Sequence, residues 1–329
     1  MSELGNSFPF VTVAVCTLGK AKTLEDTIKS LLSQSYPSDK YEIIVVVDES
    51  TRAYNRLKKY PIRLLFRKKI GGLSSARNLC VKHANGEIIA FTDDDCIADR
   101  FWLEELVKVF VSDDKTKGVG GIVRSLHSDA ISKGITLLEL VGVAWLHKEE
   151  ISDMRRKRIA GINSAFQKST VESIGGWDEK IAYGADDVDI SHRLIKEGHK
   201  LKLTPKAVVY HNHRSSLREV FWWSHNLGMG YSYYIKKHKN YLRGFLILMP
   251  LLAILSIPAA MMITLIFFGI FTPIIVLGLS VLGYLGWIYY KSRIANIDLD
   301  LKSVVLIPII ALCFSIGGII GRLKGFIKK

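Results

Sequence analysis

The chain has few cysteines, and it lacks the patterns of disulfide-bonded and zinc-binding proteins. Its four cysteines include no C-x-x-C pair. This spacing supplies neither a zinc-ligand set nor a disulfide framework, and it suits a reducing compartment. The N-terminus also lacks a basic segment followed by an apolar run, so we expect no signal peptide.

Glycine-rich loops that bind phosphate are also missing. Residues 16–20, which follow the first apolar run, read C-T-L-G-K, and neither G-x-G-x-x-G nor G-x-x-x-x-G-K-[ST] occurs in the chain. A phosphorylated ligand would otherwise be held by such a loop at the start of a helix. We therefore expect a metal ion and basic side chains to hold any phosphate.

Acidic residues are scarce relative to basic ones. The chain has 45 Lys and Arg against 31 Asp and Glu, a net charge of +14, and nine basic residues but one acid over 200–243. No zinc-finger spacing or aromatic RNA-binding signature accompanies this charge, which argues against nucleic acid. Anionic lipid and a phosphorylated substrate are the partners that the charge predicts.

Charge is absent altogether from residues 244–290, a run of 47. A bilayer core about 30 Å thick takes about 20 helical residues, so this run predicts two membrane-spanning helices. They are placed at about 244–268 and 273–290. A third uncharged run, 303–321, could also span. We expect a transmembrane region of two to three helices over 244–329.

The basic residues that flank these runs predict the orientation. Lys and Arg precede the first run, over 236–243, and separate the second from the third, over 291–302. Both flanks should be cytoplasmic, which gives a multi-pass protein of the cell membrane with a cytoplasmic N-terminal domain. Three spans would put the basic end, 322–329, outside. Either the last segment is interfacial or re-entrant, or the preference of Lys and Arg for the cytoplasmic side is overridden there. Its glycines, Gly317, Gly318 and Gly321, predict close packing on another helix.

Three consecutive aspartates, Asp93, Asp94 and Asp95, follow an apolar run, 88–91, after one threonine. The run is typical of a buried strand. Three adjacent carboxylates need a counter-charge, and oxygen ligands suit Mg²⁺ or Mn²⁺, which accompany phosphorylated substrates. A polar turn at a strand end is the alternative interpretation.

Strand-like and helix-like segments alternate along the first half of the chain. This alternation predicts a Rossmann-like α/β fold, with a mostly parallel sheet and helices on both faces. The predicted strands are 11–16, 41–47, 62–66 and 87–92, and the predicted helices are 23–33 and 73–84. Ligands bind at the carboxyl ends of such strands, where Asp48 and the three aspartates fall.

Seven short fragments, in order along the chain, resemble those of one enzyme family. They are V-T-V-A-V at 11–15, S-L-L-S-Q at 30–34, E-I-I-V-V-V-D-E-S at 42–50, G-L-S-S-A-R-N at 72–78, A-N-G-E at 84–87, G-G-W-D-E at 175–179 and D-D-V-D-I-S at 186–191. The set resembles family 2 glycosyltransferases of the GT-A fold. Glu49 and Asp186 depart from the family pattern, which has Asp and Glu at these positions.

The resemblance implies a GT-A catalytic domain over 1–213 and an inverting transfer of a sugar from a nucleotide-diphosphate sugar. It also implies roles for single residues, within a D-x-D motif and around it. Asp48 would bind the base or ribose, Arg77 the diphosphate region, Asp93 or Asp94 the ribose or a metal-bound water, and Asp95 with Asp93 the Mn²⁺ or Mg²⁺ ion.

The same resemblance makes Asp187, next to Asp186, the catalytic base. A carboxylate at this position can remove the proton of the acceptor hydroxyl. The segment 187–196 has helical spacing, so an acidic first turn favoured by the helix dipole is the alternative interpretation.

A His-x-His pair, His211 and His213, follows the strand-like run 207–210. Both rings should share one face of the strand. The resemblance allows His211 to complete the metal site, and an imidazole ligand would favour Mn²⁺ over Mg²⁺. The alternative is a histidine that pairs with a phosphate or a carboxylate.

Three further segments bear on the acceptor. Aromatic residues and lysines over 216–239 predict an amphipathic interfacial helix, assigned to 214–243, that contacts membrane lipids. This location favours a lipid-linked or glycan acceptor, such as a polyprenyl-linked saccharide.

Two other segments have more than one interpretation. Trp177 could stack on a sugar or fill the core. The basic cluster 155–158 could lie on the membrane, close over the donor or be an ordinary solvated loop.

The sequence therefore predicts a membrane-anchored, metal-dependent glycosyltransferase whose acceptor is a polyprenyl-linked or cell-surface glycan. Another enzyme of the same kind stays open, a polyprenyl-phosphate sugar synthase similar to dolichyl-phosphate mannose synthases. Two other classes also stay open: a metal-dependent phosphohydrolase and a non-catalytic membrane protein that binds nucleotide sugars.

Overall fold

A computed structural model describes residues 8–17, 21–48, 51–67, 72–143, 150–151, 158–181, 184–239, 249–268, 271–295 and 297–327. The chain forms two compact units. The first comprises Met1–Leu126 and Trp145–Asn212, and the second comprises His127–Ala144 and His213–Lys329. The predicted division into a catalytic domain (1–213), an interfacial helix (214–243) and a transmembrane region (244–329) stays a prediction.

The first unit alternates strands and helices as expected. Its elements are β1 (Val11–Thr17), α1 (Leu24–Leu32), β2 (Tyr41–Asp48), α2 (Thr51–Leu57), β3 (Arg63–Arg67), α3 (Leu73–His83), β4 (Ile88–Asp93), β5 (Cys96–Ala98), α4 (Trp102–Ser112), β6 (Thr116–Ser125), β7 (Glu150–Ile151), β8 (Asn163–Gln167), α6 (Lys168–Ser173), α7 (Asp186–Lys196) and β9 (Lys200–His211). The intervening helix α5 (Ala130–Val143) is part of the second unit. The predicted strands and helices of the first hundred residues agree with these bounds to within about two residues.

The described strands form one mixed sheet in the order β3-β2-β1-β4-β8-β6-β9-β5, with β7 paired to β9. Strands β1 to β4 are mutually parallel, and β9 is parallel to β6. Three strands, β5, β7 and β8, run antiparallel to their neighbours. The sheet is therefore mixed, with the parallel part that was predicted, and the antiparallel strands are ones that the alternating pattern did not show.

Alternate residues of the central strands enter two cores, one on each face of the sheet, because side chains along a strand point to opposite faces. In β1, Val13 and Val15 belong to the core that α1 and α4 cover, with Ile28 and Trp102. Ala14 belongs to the other core, with side chains of α3 and α7. This three-layer packing leaves the carboxyl ends of the parallel strands at one edge.

The second unit is helical. Its helices are α5 (Ala130–Val143), α8 (Leu217–His238), α9 (Met249–Phe268), α10 (Phe271–Ala295) and α11 (Leu301–Ile327). Among the described residues, two helical segments are long and apolar enough to cross a membrane, Ile274–Arg293 and Leu301–Ile327. Both meet this criterion by length and composition. The helix α9 carries no charged residue.

Candidate active site

The aspartates after β4 do not form one cluster, because the fold gives each a different partner. Asp94 is partly buried, and its carboxylate accepts a hydrogen bond from the Thr17 hydroxyl at the end of β1. Thr27 of α1 donates to the carbonyl oxygen of Asp94 at 3.1 Å. Burial raises the pKa of Asp94 to about 6, and the neighbouring carboxylates add to this rise while Thr17 opposes it. Asp94 is therefore tied to β1 and α1.

Asp95 lies beside His211, the last residue of β9. The Nε2 of His211 is 3.3 Å from the Oδ1 of Asp95. Two features of the backbone bring them together: Cys96 of β5 is paired with His211, and the N–H of Asn212 donates to the carbonyl oxygen of Asp95 at 2.9 Å. The resemblance placed both residues in one site, and the structure brings them into contact.

Cys96 adds a third possible ligand atom, and the three atoms lie within 4.8 Å of one another. Burial raises the pKa of the Cys96 thiol, with further contributions from Asp93 and Asp95. A protonated thiol is a poor metal ligand. The carboxylate oxygen of Asp95 and the imidazole nitrogen of His211 form a mixed donor set that fits Mn²⁺.

Arg77 of α3 is buried and lies between two carboxylates. Its guanidinium donates to Asp186 at the start of α7, and its Nη2 is 3.7 Å from the Oδ1 of Asp93. Burial lowers the pKa of Arg77, but the carboxylates of Asp186 and Asp93 outweigh it, so the pKa is raised overall. A Cβ on Gly161 would lie 2.5 Å from the guanidinium Nη2, so any larger residue there would displace the guanidinium. Arg77 thus links the end of β4 to the start of α7.

Asp187, in the first turn of α7, has both carboxylate oxygens engaged. The N–H of Val188 donates to Oδ1 at 2.8 Å, and the Nε of Arg158 donates to Oδ2 at 2.5 Å. Ser191 donates to the carbonyl oxygen of Asp187 at 2.7 Å and accepts from the N–H of Ile159 at 3.1 Å. The contacts of Val188 and Arg158 fix the orientation of the carboxylate, and those of Ser191 hold the backbone of Asp187. A fixed orientation is what a general base requires.

Asp48 closes β2, where its backbone pairs with Arg67 of β3. It lies at the same edge of the sheet as Thr17 and Asp93, the last residues of the adjacent parallel strands β1 and β4. Its predicted role toward the base or ribose stays a prediction, as do those of Asp93, Asp94 and Arg77 toward the donor.

Arg158 is a functional candidate that the sequence did not single out. It was one of four basic residues in the run 155–158, whose first three residues lie outside the described residues. Nothing in the sequence of that run distinguishes Arg158 from its basic neighbours. Its partner, Asp187, lies 29 positions away in the chain, so the contact can be recognised only in the folded structure. Trp177 fills the core: it is 3% exposed and packs edge-on against Phe91 and Phe166, which leaves no face for a sugar.

Residues 12–167 match the family model described as Glycosyl transferase family 2. These residues form a family 2 glycosyltransferase domain. The match covers β1 to β8, and therefore the aspartates after β4 and Arg77, while α7 and His211 lie beyond it. The family predicted from the seven fragments is confirmed.

Three curated relatives of this chain are glycosyltransferases by name. The probable glycosyltransferase YdaM of Bacillus subtilis is 25% identical over 65% of this chain. Glycosyltransferase AglE of Haloferax volcanii is 25% identical over 63%, and the poly-beta-1,6-N-acetyl-D-glucosamine synthase of Staphylococcus aureus is 23% identical over 61%. The chain spans 53%, 68% and 49% of the lengths of these relatives.

A solved structure shares the fold over nearly the whole chain. The mannosyltransferase PcManGT from Pyrobaculum calidifontis, in complex with GDP-Man and Mn²⁺, superimposes with a TM-score of 0.66 at 19% identity. The superposition covers 98% of this chain and 89% of the mannosyltransferase. It confirms the predicted GT-A fold.

Proposed function

We propose that this family 2 protein transfers a sugar from a nucleotide-diphosphate sugar to an acceptor hydroxyl, with inversion and with a divalent metal. One arrangement carries the proposal. Asp95 contacts His211, the pair proposed to bind the metal, and the buried Arg77 connects Asp93, two residues before Asp95, to Asp186, the neighbour of Asp187. These contacts support a proposed donor site and a proposed base that are held in one framework.

On the donor side, Asp95 and His211 would hold the metal, with Asp93 as a further candidate ligand. When bound, the cation would neutralise charge on the departing nucleoside diphosphate. The solved mannosyltransferase is in complex with GDP-Man and Mn²⁺, which supports both the class of donor and the class of metal. Asp48, Asp93, Asp94 and Arg77 remain the residues proposed to position that donor.

On the acceptor side, the oxygen of the acceptor hydroxyl attacks the anomeric carbon of the donor sugar. Asp187 would take the proton from that hydroxyl in the same step. The bond to the diphosphate breaks in the same step, and the diphosphate leaves with the electron pair. A single displacement of this kind inverts the anomeric centre. Arg158 and the N–H of Val188 hold the carboxylate of Asp187 in one orientation for this transfer.

The acceptor is proposed to be a polyprenyl-linked or cell-surface glycan, reached from the cytoplasmic side of the cell membrane. Two apolar helices and the exposed Trp222 of α8 support a membrane location. The Staphylococcus relative is named for a polysaccharide product, which supports a glycan acceptor. Incubation of labelled donor with lipid extract tests the proposal. Label in water-soluble products alone would contradict the polyprenyl-linked acceptor, and label on a bare polyprenyl phosphate would indicate the synthase alternative.

The base assignment is tested by Asp187→Asn. We expect the rate of transfer to fall by about 10²–10⁴-fold, because an amide cannot accept the proton. Binding of nucleotide sugar and Mn²⁺, followed by thermal shift, should be retained. Asp26→Asn, on the exposed surface of α1, is the control and should leave transfer unchanged. Unchanged turnover in Asp187→Asn would refute the assignment.

The metal site is tested by Asp95→Ala and His211→Ala, with His83→Ala as the control. We expect the affinity for Mn²⁺, measured by titration in the presence of nucleotide, to fall in both variants. Loss of a residue that only hydrogen-bonds to a metal ligand costs roughly 10–100-fold in affinity, and loss of a ligand itself should cost more. Chelation of the metal should abolish transfer in the unaltered protein. Nucleotide hydrolysis that needs no acceptor would instead favour the phosphohydrolase.

A further inference from the structure

Helices α8 and α11 of the second unit pack side by side in a fixed register. The thiol of Cys313 lies 3.2 Å from the carbonyl oxygen of Leu217, and a Cβ on Gly317 would lie 2.5 Å from the carbonyl oxygen of Phe221. Two further contacts continue the series, joining Gly321 to His225 and Gly325 to Met229. The partners in each pair are 96 residues apart in the chain. The two helices are therefore parallel and in contact over about three turns.

This register gives the two helices a common environment. If α11 crossed the hydrocarbon, α8 would have to cross beside it. The central part of α8 carries polar groups, including the buried His225 and the exposed Asn226. Polar groups are costly in the centre of a bilayer. A membrane-crossing α11 is therefore incompatible with the composition of its partner.

The charges at the ends of the two helices lead to the same conclusion. Lys236 and Lys237 end α8, and Lys324 lies in the last turn of α11. Because the helices are parallel, these basic ends lie on the same side. If both helices crossed, both ends would be carried to the outer side, against the preference of Lys and Arg for the cytoplasm. The Lys236 ammonium donates to the carbonyl oxygen of Phe326 at 3.0 Å, so the two ends are in direct contact.

One face of α11 is apolar and exposed along its whole length. Seven of its exposed apolar side chains recur at intervals of three, four or seven residues, which places them on one side of the helix: Leu301, Val305, Ile309, Ile316, Ile320, Leu323 and Ile327. Phe326 is exposed beside them, and Lys302 and Lys324 are exposed near the two ends of the helix. The buried side contains the glycines that contact α8 and the polar residues Ser303 and Ser315. A helix with such a division suits the boundary between headgroups and acyl chains.

We propose that α11 lies in the plane of the membrane surface beside α8, with its exposed apolar face in the acyl chains of one leaflet. The chain then crosses the membrane only with α9 and α10, and its basic C-terminus stays on the side of the α10–α11 connection. The partner of this face is the lipid leaflet itself. The inference rests on the membrane location in the proposed function, and it does not depend on catalysis.

Topology reporters in the full-length chain test the inference. A green fluorescent protein or an alkaline phosphatase is attached after Lys329, inserted at residues 297–300, or inserted between α9 and α10 as the control. We expect the first two positions to report the same side, and the control to report the other. Opposite sides for Lys329 and 297–300 would show that α11 crosses. Release of the chain by alkaline carbonate would overturn the membrane location together with this inference.

The depth of α11 provides a second measurement that activity does not influence. A keto-bearing amino acid, introduced singly at Val305, Ile309, Ile316 or Ile320, is coupled to a nitroxide in liposomes. Accessibility to oxygen and to a nickel chelate then gives the depth of each label. A helix in the plane gives similar depths at all four positions, whereas a spanning helix gives the greatest depths at Ile309 and Ile316, near its middle, and smaller depths at Val305 and Ile320. Asn226 of α8 is the water-facing control.

Discussion

The two units place their apolar side chains in opposite ways. In the first unit the largest apolar side chains, such as Trp102 and Phe91, are almost fully buried between the sheet and its helices. In the second unit large apolar side chains are exposed, with Leu301 at 80% and Ile266 at 70%, while glycines occupy the contact between α8 and α11. The first pattern suits water, and the second suits lipid, where close packing replaces the hydrophobic effect between helices.

The two units also differ in how their charged side chains are placed and partnered. The first unit buries the guanidinium of Arg77 and places two carboxylates against it. In the second unit Lys236 and Lys237 are exposed at the end of α8, and the buried guanidinium of Arg322 lies over the ring of Tyr231, 5.5 Å from its centroid. A buried charge is tolerated when its partners are fixed, which a sheet with helices on both faces can provide. The comparison predicts that equivalent substitutions have unequal effects in the two units.

The largest effect on stability is expected for Arg77→Met. Loss of the guanidinium leaves the buried carboxylate of Asp186 without its partner, which costs roughly 3–5 kcal/mol. Unfolding of the purified protein in denaturant measures this loss. Lys29→Ala removes an exposed ion pair with Asp26 and should change stability by about 1 kcal/mol at most. Equal effects of the two substitutions would contradict the buried network.

Trp177 and Trp222 give a comparison of one residue type in two environments. Trp177→Ala leaves a cavity against Phe91 and should destabilise the first unit by about 3–5 kcal/mol. Trp222, 51% exposed on α8, should tolerate Ala with a change within about 0.5 kcal/mol, but binding to liposomes should weaken. Thermal unfolding and vesicle flotation measure the two effects. A marked loss of stability in Trp222→Ala would contradict the assignment of Trp222 to an exposed surface.

A smaller loss than those of Arg77→Met and Trp177→Ala is expected at the glycine contact of the second unit. In Gly321→Ala the new Cβ would overlap the backbone of His225, so we expect a loss of about 1–3 kcal/mol. Gly283→Ala in α10 meets nothing within 4 Å and should be neutral or slightly stabilising. Thermal unfolding in detergent compares the pair. Similar melting temperatures would mean that the α8–α11 contact contributes little to stability.

Much of the secondary structure followed from local patterns. The apolar runs at β1, β2 and β4 were predicted because each is a short stretch rich in Val and Ile that ends in polar residues. The antiparallel strand β8 was not predicted, because its run N-S-A-F-Q has little of that character. Its place between β4 and β6 depends on pairing with distant segments, which periodicity cannot report.

The sequence by itself determined where strands β1 to β4 and helices α1, α3 and α7 lie, which residues could bind a metal or accept a proton, and where the chain becomes apolar enough for lipid. These properties depend on neighbouring residues and on composition. Only the tertiary structure decided that Asp94 binds Thr17, that Asp93 and Asp186 share Arg77, and that Asp187 is held by Arg158. Three of those contacts join residues 29, 77 and 109 positions apart, so they exist only once the order of the strands has brought their ends to one edge.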